Sequence, residues 1–196
     1  MTDVFDKLDK VNYVPVIGGP FIGYSNNDNF MINKQRITPL TKDSILPCKT
    51  YLINPYHSFN DFPKLVEQNL LRDDRIVFSD SGGLQEINLG IKKYNHIEVF
   101  KWQEKYSNIG FCYDVIPFKS IDGSRFTGWT FDGKNFLNCA QQTLKNMKEV
   151  NEIRTEFQKF KFYGIIQGRN IEEYKQWFNI KKEAKSDGYC VKTPNN

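Results

Sequence analysis

The most informative stretch for the fold is Phe78-Ser79-Asp80-Ser81-Gly82-Gly83-Leu84-Gln85, which begins within the segment Arg75–Ser79 and continues past its end. That segment has the β-branched and aromatic composition of a strand, so the polar residues and paired glycines fall at its carboxyl end. In parallel α/β folds the carboxyl ends of the strands line the ligand crevice, and glycines let the backbone approach a flat ligand closely. The sequence D-S-G-G is also typical of an ordinary Asx turn. The run alone does not decide between a ligand site and a turn.

Similar short strand patterns recur along the chain, with helical patterns between them. The six predicted strands are Tyr13–Ile17, Tyr51–Ile53, Arg75–Ser79, Ile109–Tyr113, Phe162–Ile166 and Gly188–Val191. The clearest helix covers about Asn135–Lys159, where apolar residues advance by three or four. Further helices are predicted at about Ile97–Ser107 and after Asn170, an N-cap with Glu173 three residues later as in a capping box. This alternation predicts a parallel α/β sheet in a single domain over residues 1–196, either open or closed into a barrel.

The composition indicates a globular protein, since 39% of the 196 residues are hydrophobic and 15% are aromatic. The net charge of +4 permits contact with a polyanion without requiring it. The four cysteines are too widely spaced for a short metal-ligand pattern. They are also too few for disulfide bonds to stabilise a chain of this size, which favours a reducing compartment. No stretch approaches the roughly 18 consecutive apolar residues of a membrane span, so we expect a cytoplasmic protein with no membrane partner.

The residues after the first predicted strand favour a turn over a cofactor site. Gly18, Gly19 and Gly23 do not have the order of the dinucleotide fingerprint, and Pro20 lacks the amide that a phosphate cradle uses. A tight turn is therefore the favoured interpretation. The more polar segment Asn26–Pro47 is predicted to form a hairpin and loop beside the first strand.

Two later strand ends also carry polar residues. Asp114 follows the fourth predicted strand, and Gln167 and Gly168 follow the fifth. Each alone is a common turn former, but with Asp80 they place two carboxylates and an amide at three successive strand ends. A carboxylate accepts from both N1–H and the exocyclic amine of a guanine-like base, while a glutamine amide donates to its O6. Together these residues predict a site that recognises a purine base through hydrogen bonds.

The remaining polar residues give weaker signals. His57 and His96 lie far apart with no nearby carboxylate motif, and we interpret them as solvent-exposed or capping residues. Cys112, inside a predicted strand, is interpreted as a small buried side chain. Arg169, near the expected mouth of the site, is a candidate phosphate contact. The lysine-rich runs are further candidates for phosphate contacts, but solvated faces are the favoured interpretation for them: Lys92-Lys93, Lys181-Lys182 and Lys185.

In order and spacing, three motifs resemble those of the tRNA-guanine transglycosylases and their phage DNA-modifying relatives, which insert 7-deazaguanines into nucleic acid. The motifs are S-D-S-G-G-L-Q at 79–85, F-C-Y-D-V-I-P at 111–117 and Y-G-I-I-Q-G at 163–168. The resemblance runs from about Tyr13 to Val191 and covers the amino-terminal part of the family's fold. It implies a TIM-type βα barrel that is incomplete in this chain, with about six strands.

The resemblance also implies roles for individual residues. Asp80 is similar to the family's active-site aspartate beside the reacting base, which makes it the candidate for acid/base catalysis. Asp114 resembles the base-recognising carboxylate, and Gln167, followed by Gly168, resembles the amide that contacts the base carbonyl. Three further residues are expected to shape the floor of the substrate-binding pocket: Ser81, Gly82 and Gly83.

The family's reaction is a base exchange by double displacement. A carboxylate attacks C1′ of the ribose, guanine leaves, and a 7-deazaguanine then attacks the covalent intermediate. The family's nucleophilic aspartate lies on a later strand, so the resemblance assigns that role to no residue of this chain. The family's structural zinc site, three cysteines and a histidine, lies further still, so the resemblance implies no cofactor here.

The sequence departs from the family's motifs in three places. Leu84 stands where the family usually has phenylalanine, and Val115-Ile116 replace polar residues, which predicts a less polar pocket wall. The segment Lys192–Asn196 stands where the family has a glycine-rich loop that touches the base.

The function favoured by the resemblance is exchange of guanine for a 7-deazaguanine in tRNA or DNA, in a bacterial or phage-infected cytoplasm. A second interpretation is a base-binding or nucleic-acid-binding subunit, or half of a split enzyme, whose nucleophile comes from another copy or a second polypeptide. A third is an inactive remnant. The edge of the last predicted strand, Gly188–Val191, is expected to favour pairing with another chain.

Overall fold

A computed structural model describes residues 16–17, 31–32, 35–36, 49–69, 71, 73–89, 92–120, 129–155 and 159–191. In this part of the chain the protein has a mixed α/β fold built on a parallel sheet. The turn predicted at Gly18, Gly19 and Gly23 and most of the loop predicted at Asn26–Pro47 lie outside the described residues.

The sheet contains six parallel strands, in the order β1-β4-β5-β6-β9-β10. They are β1 (Val16–Ile17), β4 (Thr50–Ile53), β5 (Ile76–Ser79), β6 (Ile109–Phe111), β9 (Lys161–Ile166) and β10 (Gly188–Val191). Two antiparallel pairs accompany it: β2 (Met31–Ile32) with β3 (Gln35–Arg36), and β7 (Phe118–Ser120) with β8 (Trp129–Phe131). The β2–β3 pair agrees with the hairpin predicted in that segment.

The described helices follow the strands along the chain. They are α1 (Pro55–Ser58), α2 (Asp61–Glu67), α3 (Gly83–Leu89), α4 (His96–Tyr106), α5 (Phe136–Ile153) and α6 (Ile171–Lys181). Helix α4 begins with a complete capping box, in which Asn95 and Glu98 each bond to the other's backbone amide. None of the described helices combines the length and apolar character that a membrane crossing requires.

The order of the strands in the sheet follows their order in the chain without reversal. Because crossover connections between parallel strands are right-handed, such an order brings the connecting helices to the same face of the sheet. We call this the helix-covered face; its buried strand residues are Tyr51, Ile53, Val77, Phe162 and Ile166. They pack against apolar side chains of α2, α4, α5 and α6, which form the core.

The opposite side of the strands, here called the second face, is also apolar; Ile76 and Ile109 are buried there, and its residues nearer the carboxyl ends are half-buried. Strand β9 alternates between the two, with Phe162 and Ile166 buried and Tyr163 and Ile165 half-buried. Residues paired in register share a face, so Leu52 lies beside Phe78 and Phe111 beside Tyr163. The second face therefore provides an apolar wall near the carboxyl ends of the strands.

Most predicted elements are confirmed, and their boundaries differ for local reasons. The strand predicted at Ile109–Tyr113 ends at Phe111, because the backbone beyond Cys112 bonds to side chains of α5. The helix predicted to reach Lys159 ends at Ile153, and Arg154 has extended backbone.

The predicted start of α6 is correct, but its capping box is only half formed. The Asn170 side chain accepts from the amides of Glu172 and Glu173, as expected of an N-cap. The Glu173 carboxylate accepts instead from the backbone amide of Arg169, one residue before the cap.

Gln103 of α4 joins the carboxyl ends of β5 and β6. Its side chain is buried, and Nε2 donates to the carbonyl oxygens of Asp80 at 2.9 Å, Phe111 at 3.0 Å and Ser79 at 3.3 Å. Gly110 leaves room for it, since a Cβ at that position would lie 2.9 Å from Gln103 Oε1. This one amide holds the backbone that leads into the polar strand ends.

Replacing Gln103 by methionine is predicted to destabilise the fold by about 1–3 kcal/mol, because buried carbonyls lose their donor. Urea denaturation measures this loss. Gln141→Met, at an exposed position of α5, is the control and should change stability by less than about 0.5 kcal/mol. Equal stability of both variants would contradict the joining role of Gln103.

Candidate functional site

The three polar strand ends meet at one cavity of about 290 Å³. Its polar lining consists of Asp80, Ser81, Asp114 and Gln167. The remaining lining is apolar or weakly polar: Leu52, Leu84, Phe111, Ile116, Ile165 and Cys190. The structure thus brings together the residues that the sequence placed at the ends of β5, β6 and β9, at the carboxyl edge of the sheet. Ile116 forms part of the wall, at a position where the sequence predicted reduced polarity.

The Asp114 carboxylate is the centre of the polar part of the cavity. Its Oδ1 accepts from Ser81 Oγ at 2.7 Å, and its Oδ2 accepts from Gln167 Nε2 at 2.6 Å. The side chain is only 4% exposed. Since each carboxylate oxygen has two lone-pair directions, Asp114 retains acceptor capacity beyond these two bonds.

Two buried polar residues of α5 fix the backbone on either side of Asp114. Thr143 Oγ1 accepts from the Val115 amide at 2.9 Å, and Asn146 Nδ2 donates to the Tyr113 carbonyl at 3.0 Å. Sequence analysis did not assign a role to either residue. The available signal was their position, since Thr143 and Asn146 lie beside Leu144 and Met147 on the face of α5 that packs inward.

Asp80 is held by the neighbouring strand end. Its Oδ2 accepts from Asn54 Nδ2 at 2.8 Å, and its Oδ1 accepts from the Ser81 amide at 2.8 Å. Asn54 is itself fixed because its Oδ1 caps α1 by accepting from the Tyr56 amide at 2.9 Å. Sequence analysis missed Asn54, although it directly follows β4 and the same strand-end rule applies to it.

The glycines of the site serve packing within the protein. Gly82 has φ +82°, and a Cβ there would lie 2.4 Å from the Tyr56 ring. A Cβ on Gly83 would lie 2.7 Å from the Asp114 carbonyl oxygen, and one on Gly168 would lie 2.9 Å from the Tyr174 ring. None of these three glycines lines the cavity within the described structure. Close contacts within the protein therefore account for glycine at all three positions.

Gln167 combines a satisfied donor with an unsatisfied acceptor. The side chain is 1% exposed, and no described residue donates to Oε1. A buried carbonyl without a partner costs free energy that a ligand N–H would recover. Nε2 carries a second proton besides the one given to Asp114, so this acceptor and this donor are both without a partner among the described residues.

The cysteine in the cavity is a poor nucleophile. Burial raises the pKa of the Cys190 thiol, and the nearby carboxylates of Asp114 and Asp80 raise it further. The thiol therefore stays protonated, and the chemistry of the cavity rests on its carboxylates and amide.

Beside the cavity, burial and a hydrogen bond to Glu86 also raise the pKa of Tyr113, whose hydroxyl lies 3.3 Å from that of Tyr56.

The structure corrects the interpretation of His96 and gives Arg169 a partner within the protein. His96 has a carboxylate partner that its sequence neighbours did not reveal, since Nε2 lies 2.6 Å from Glu149 Oε2 of α5. Arg169 is ion-paired with Glu173 and stacks 3.8 Å above the Phe131 ring. His57 is exposed, as predicted.

Two further interpretations concern the burial of Cys112, in the segment before Asp114, and of Lys181, in α6. Cys112 is fully buried, as predicted. Lys181, which the sequence placed on a solvated face, is fully buried instead.

Comparisons with known proteins give no family assignment: no family model matches the chain, and no curated protein matches it. Among the described residues, no group of three or more histidine, cysteine, aspartate or glutamate side chains is placed to hold a metal ion. Function is therefore inferred from the cavity and from the sequence motifs that form it.

Replacing Gly82 by alanine is predicted to destabilise the protein by about 1–3 kcal/mol, because an L-residue is strained at this φ. The clash with Tyr56 adds to the loss. Denaturant titration measures the change, with Gly133→Ala as the control, since a Cβ at that position meets only ordinary contacts at 3.5 Å. A Gly82 variant as stable as the control would disprove the steric requirement.

Proposed function

We propose that this protein binds a guanine-type base in the cavity and takes part in exchanging guanine for a 7-deazaguanine in tRNA or DNA. The observation that carries the proposal is the hydrogen-bonded group of Ser81, Asp114 and Gln167 at the floor of the cavity. The order and spacing of the three motifs support it, through their resemblance to guanine transglycosylases. The flanking apolar walls suit the faces of a planar ring.

Recognition rests on matching donors with acceptors. A guanine-type ring presents N1–H and an exocyclic amine beside a carbonyl, and Asp114 has lone pairs for those donors. The second Nε2 proton of Gln167 supplies a donor at the same place, which suits the base carbonyl. Hypoxanthine lacks the exocyclic amine, so the proposal ranks it below guanine.

In the proposed reaction Asp80 is the general acid and base: it donates a proton to the departing guanine and accepts one from the incoming base. The bond between C1′ of the ribose and the guanine nitrogen breaks as a carboxylate attacks C1′, and the deazaguanine later displaces that carboxylate while losing a proton. Asn54 and the Ser81 amide orient the Asp80 carboxylate for this work. The nucleophilic carboxylate is not assigned to a residue of this chain.

The proposed architecture is a TIM-type βα barrel, to which the described residues contribute six strands. The unreversed order of the parallel strands supports it, as does the packing of the helices on one side of the sheet. In such a barrel the second face is the interior, and functional residues stand at the carboxyl ends of the strands. The cavity has the location that this architecture requires.

Asp114→Asn is predicted to weaken binding of guanine or 7-deazaguanine by roughly 10- to 150-fold, the equivalent of a lost charge-assisted hydrogen bond. Isothermal titration calorimetry measures this effect. Asp73→Asn, at an exposed position, is the matched control and should bind as the wild type does. If Asp114→Asn binds the base with the same affinity as Asp73→Asn, Asp114 does not recognise the base.

Activity itself is tested with radiolabelled guanine and separate tRNA and DNA acceptors. Incorporation of label into one acceptor, abolished by Asp80→Ala, supports base exchange and identifies the nucleic acid. Base binding without incorporation into either acceptor favours the second candidate function.

The second candidate is a base-binding subunit that needs another polypeptide, or a second copy, for the nucleophile. The edge of the sheet favours it, because β10 pairs with β9 alone among the described strands and Val191 is 53% exposed. A strand edge of this kind favours pairing with a further chain.

For this second candidate, the chain alone is predicted to form no covalent adduct with tRNA or DNA. The physical reason is that a glycosyl–enzyme intermediate needs a carboxylate free for attack, whereas Asp80 is assigned to proton transfer. Denaturing gels with labelled nucleic acid detect an adduct. An adduct formed by this chain alone and abolished by Asp80→Ala would contradict the prediction and make Asp80 the nucleophile.

A further inference from the structure

Lys181, in the last turn of α6, is fully buried. A lysine is almost never fully buried unless its charge is paired, because an isolated ammonium in the core is costly. The only hydrogen-bond partner of its Nζ among the described residues is Cys112 Sγ at 3.7 Å, and no described carboxylate forms an ion pair with it. Neither residue lines the base cavity in the described structure, so the proposed function gives this pair no role.

Cys112 meets Lys181 inside the core. It directly follows β6, is fully buried, and belongs to an otherwise apolar cluster that includes Phe100, Met147 and Phe162. Its sulfur also accepts from the Ile165 amide at 3.3 Å. An amine and an oxidisable thiol are therefore held in contact at a place from which bulk water and dissolved thiols are excluded.

Burial favours the uncharged forms of both groups. It lowers the pKa of the Lys181 amine and raises the pKa of the Cys112 thiol. Each group opposes this effect on the other, because an ammonium and a thiolate attract each other. An unprotonated amine is a base and a nucleophile, and both properties act on the sulfur beside it.

We propose that Cys112 and Lys181 form a redox-sensitive covalent cross-link, a sulfenamide bond between Sγ and Nζ, when a peroxide oxidises the thiol. In the first step the thiol proton moves to Nζ, the sulfur attacks one oxygen of hydrogen peroxide, and the O–O bond breaks. The hydroxide that leaves takes the proton from Nζ. The products are a sulfenic acid, one water and a neutral amine.

The second step joins the two side chains. The Nζ lone pair attacks the sulfur, the S–O bond breaks, and the departing hydroxide takes one proton from the nitrogen to form a second water. One thiol, one amine and one peroxide thus give one S–N bond and two waters. The sulfur loses two electrons, and the two peroxide oxygens gain them.

The surroundings of the sulfur select this product. A sulfenic acid condenses with a thiol or with a nitrogen, or is oxidised further. Two nitrogens contact Cys112 Sγ among the described residues, the Lys181 amine and the Ile165 amide. The amide lone pair is delocalised into its carbonyl, so the amine is the stronger nucleophile. Burial slows the entry of peroxide, but it also excludes competing thiols and a second peroxide.

Peptide mapping of the full chain by mass spectrometry tests the proposal. The protein is treated with hydrogen peroxide, free thiols are blocked with N-ethylmaleimide, and the chain is digested without reductant. We expect a peptide that links Cys112 to Lys181, about 2 Da lighter than its two parts together, and its separation into those parts by dithiothreitol. Lys181→Leu is expected to abolish the linked peptide. Lys182→Leu, at the neighbouring exposed lysine, is the matched control and is expected to retain it.

Thermal denaturation gives a second measurement. The cross-link joins residues 69 positions apart in the sequence, so it restricts the unfolded chain and is expected to raise the Tm of the peroxide-treated wild type. Dithiothreitol is expected to reverse that rise, and Lys181→Leu is expected to show none.

Two results of the mapping would overturn the proposal. One is recovery of Cys112 as a free thiol or a sulfinic acid after the half-buried Cys139 and Cys190 have been oxidised. The other is a bond from Cys112 to any residue except Lys181. If Lys181→Leu does not fold, the map of the wild type decides alone, since it identifies both ends of the link. Base binding enters neither measurement, so failure of the proposed function leaves the outcome unaffected.

Discussion

The Asp114 carboxylate connects three strand ends that are remote in sequence. Ser81 comes from the turn after β5, Asp114 from the segment after β6, and Gln167 from the end of β9. Because both oxygens accept a short hydrogen bond inside the protein, the carboxylate sets the relative position of the three segments. The cavity and its polar floor follow from this arrangement.

Neighbouring elements support this carboxylate without touching the cavity. Thr143 and Asn146 of α5 hold the backbone around Asp114, while Gln103 of α4 holds the strand ends beside it. Gly83 allows the turn after β5 to lie directly against the Asp114 carbonyl. Since the contacts of Gln103, Thr143 and Asn146 come from α4 and α5, these two helices stabilise the sheet and also orient the residues at its edge.

The sequence predicted those parts of the structure that depend on local pattern. The alternation of buried residues revealed strands such as β9, and the strand-end rule identified Asp80, Asp114 and Gln167 as neighbours. Contacts between distant segments were not predictable, because no local pattern encodes them. The His96–Glu149 pair spans 53 residues, and the burial of Lys181 depends on how α6 packs near Cys112. Asn54 was predictable in principle, because it follows β4 as Asp80 follows β5.

The central claim is that Asp114 and Gln167 read a guanine-type base, and nuclear magnetic resonance of the Gln167 side-chain amide tests it most directly. The amide signal is assigned by its loss in Gln167→Met and followed during titration with guanine and with adenine. The account predicts a saturable shift with guanine and none with adenine, since adenine lacks the lactam N–H and C=O groups. An unchanged signal at saturating guanine, or an equal response to adenine, would contradict the account.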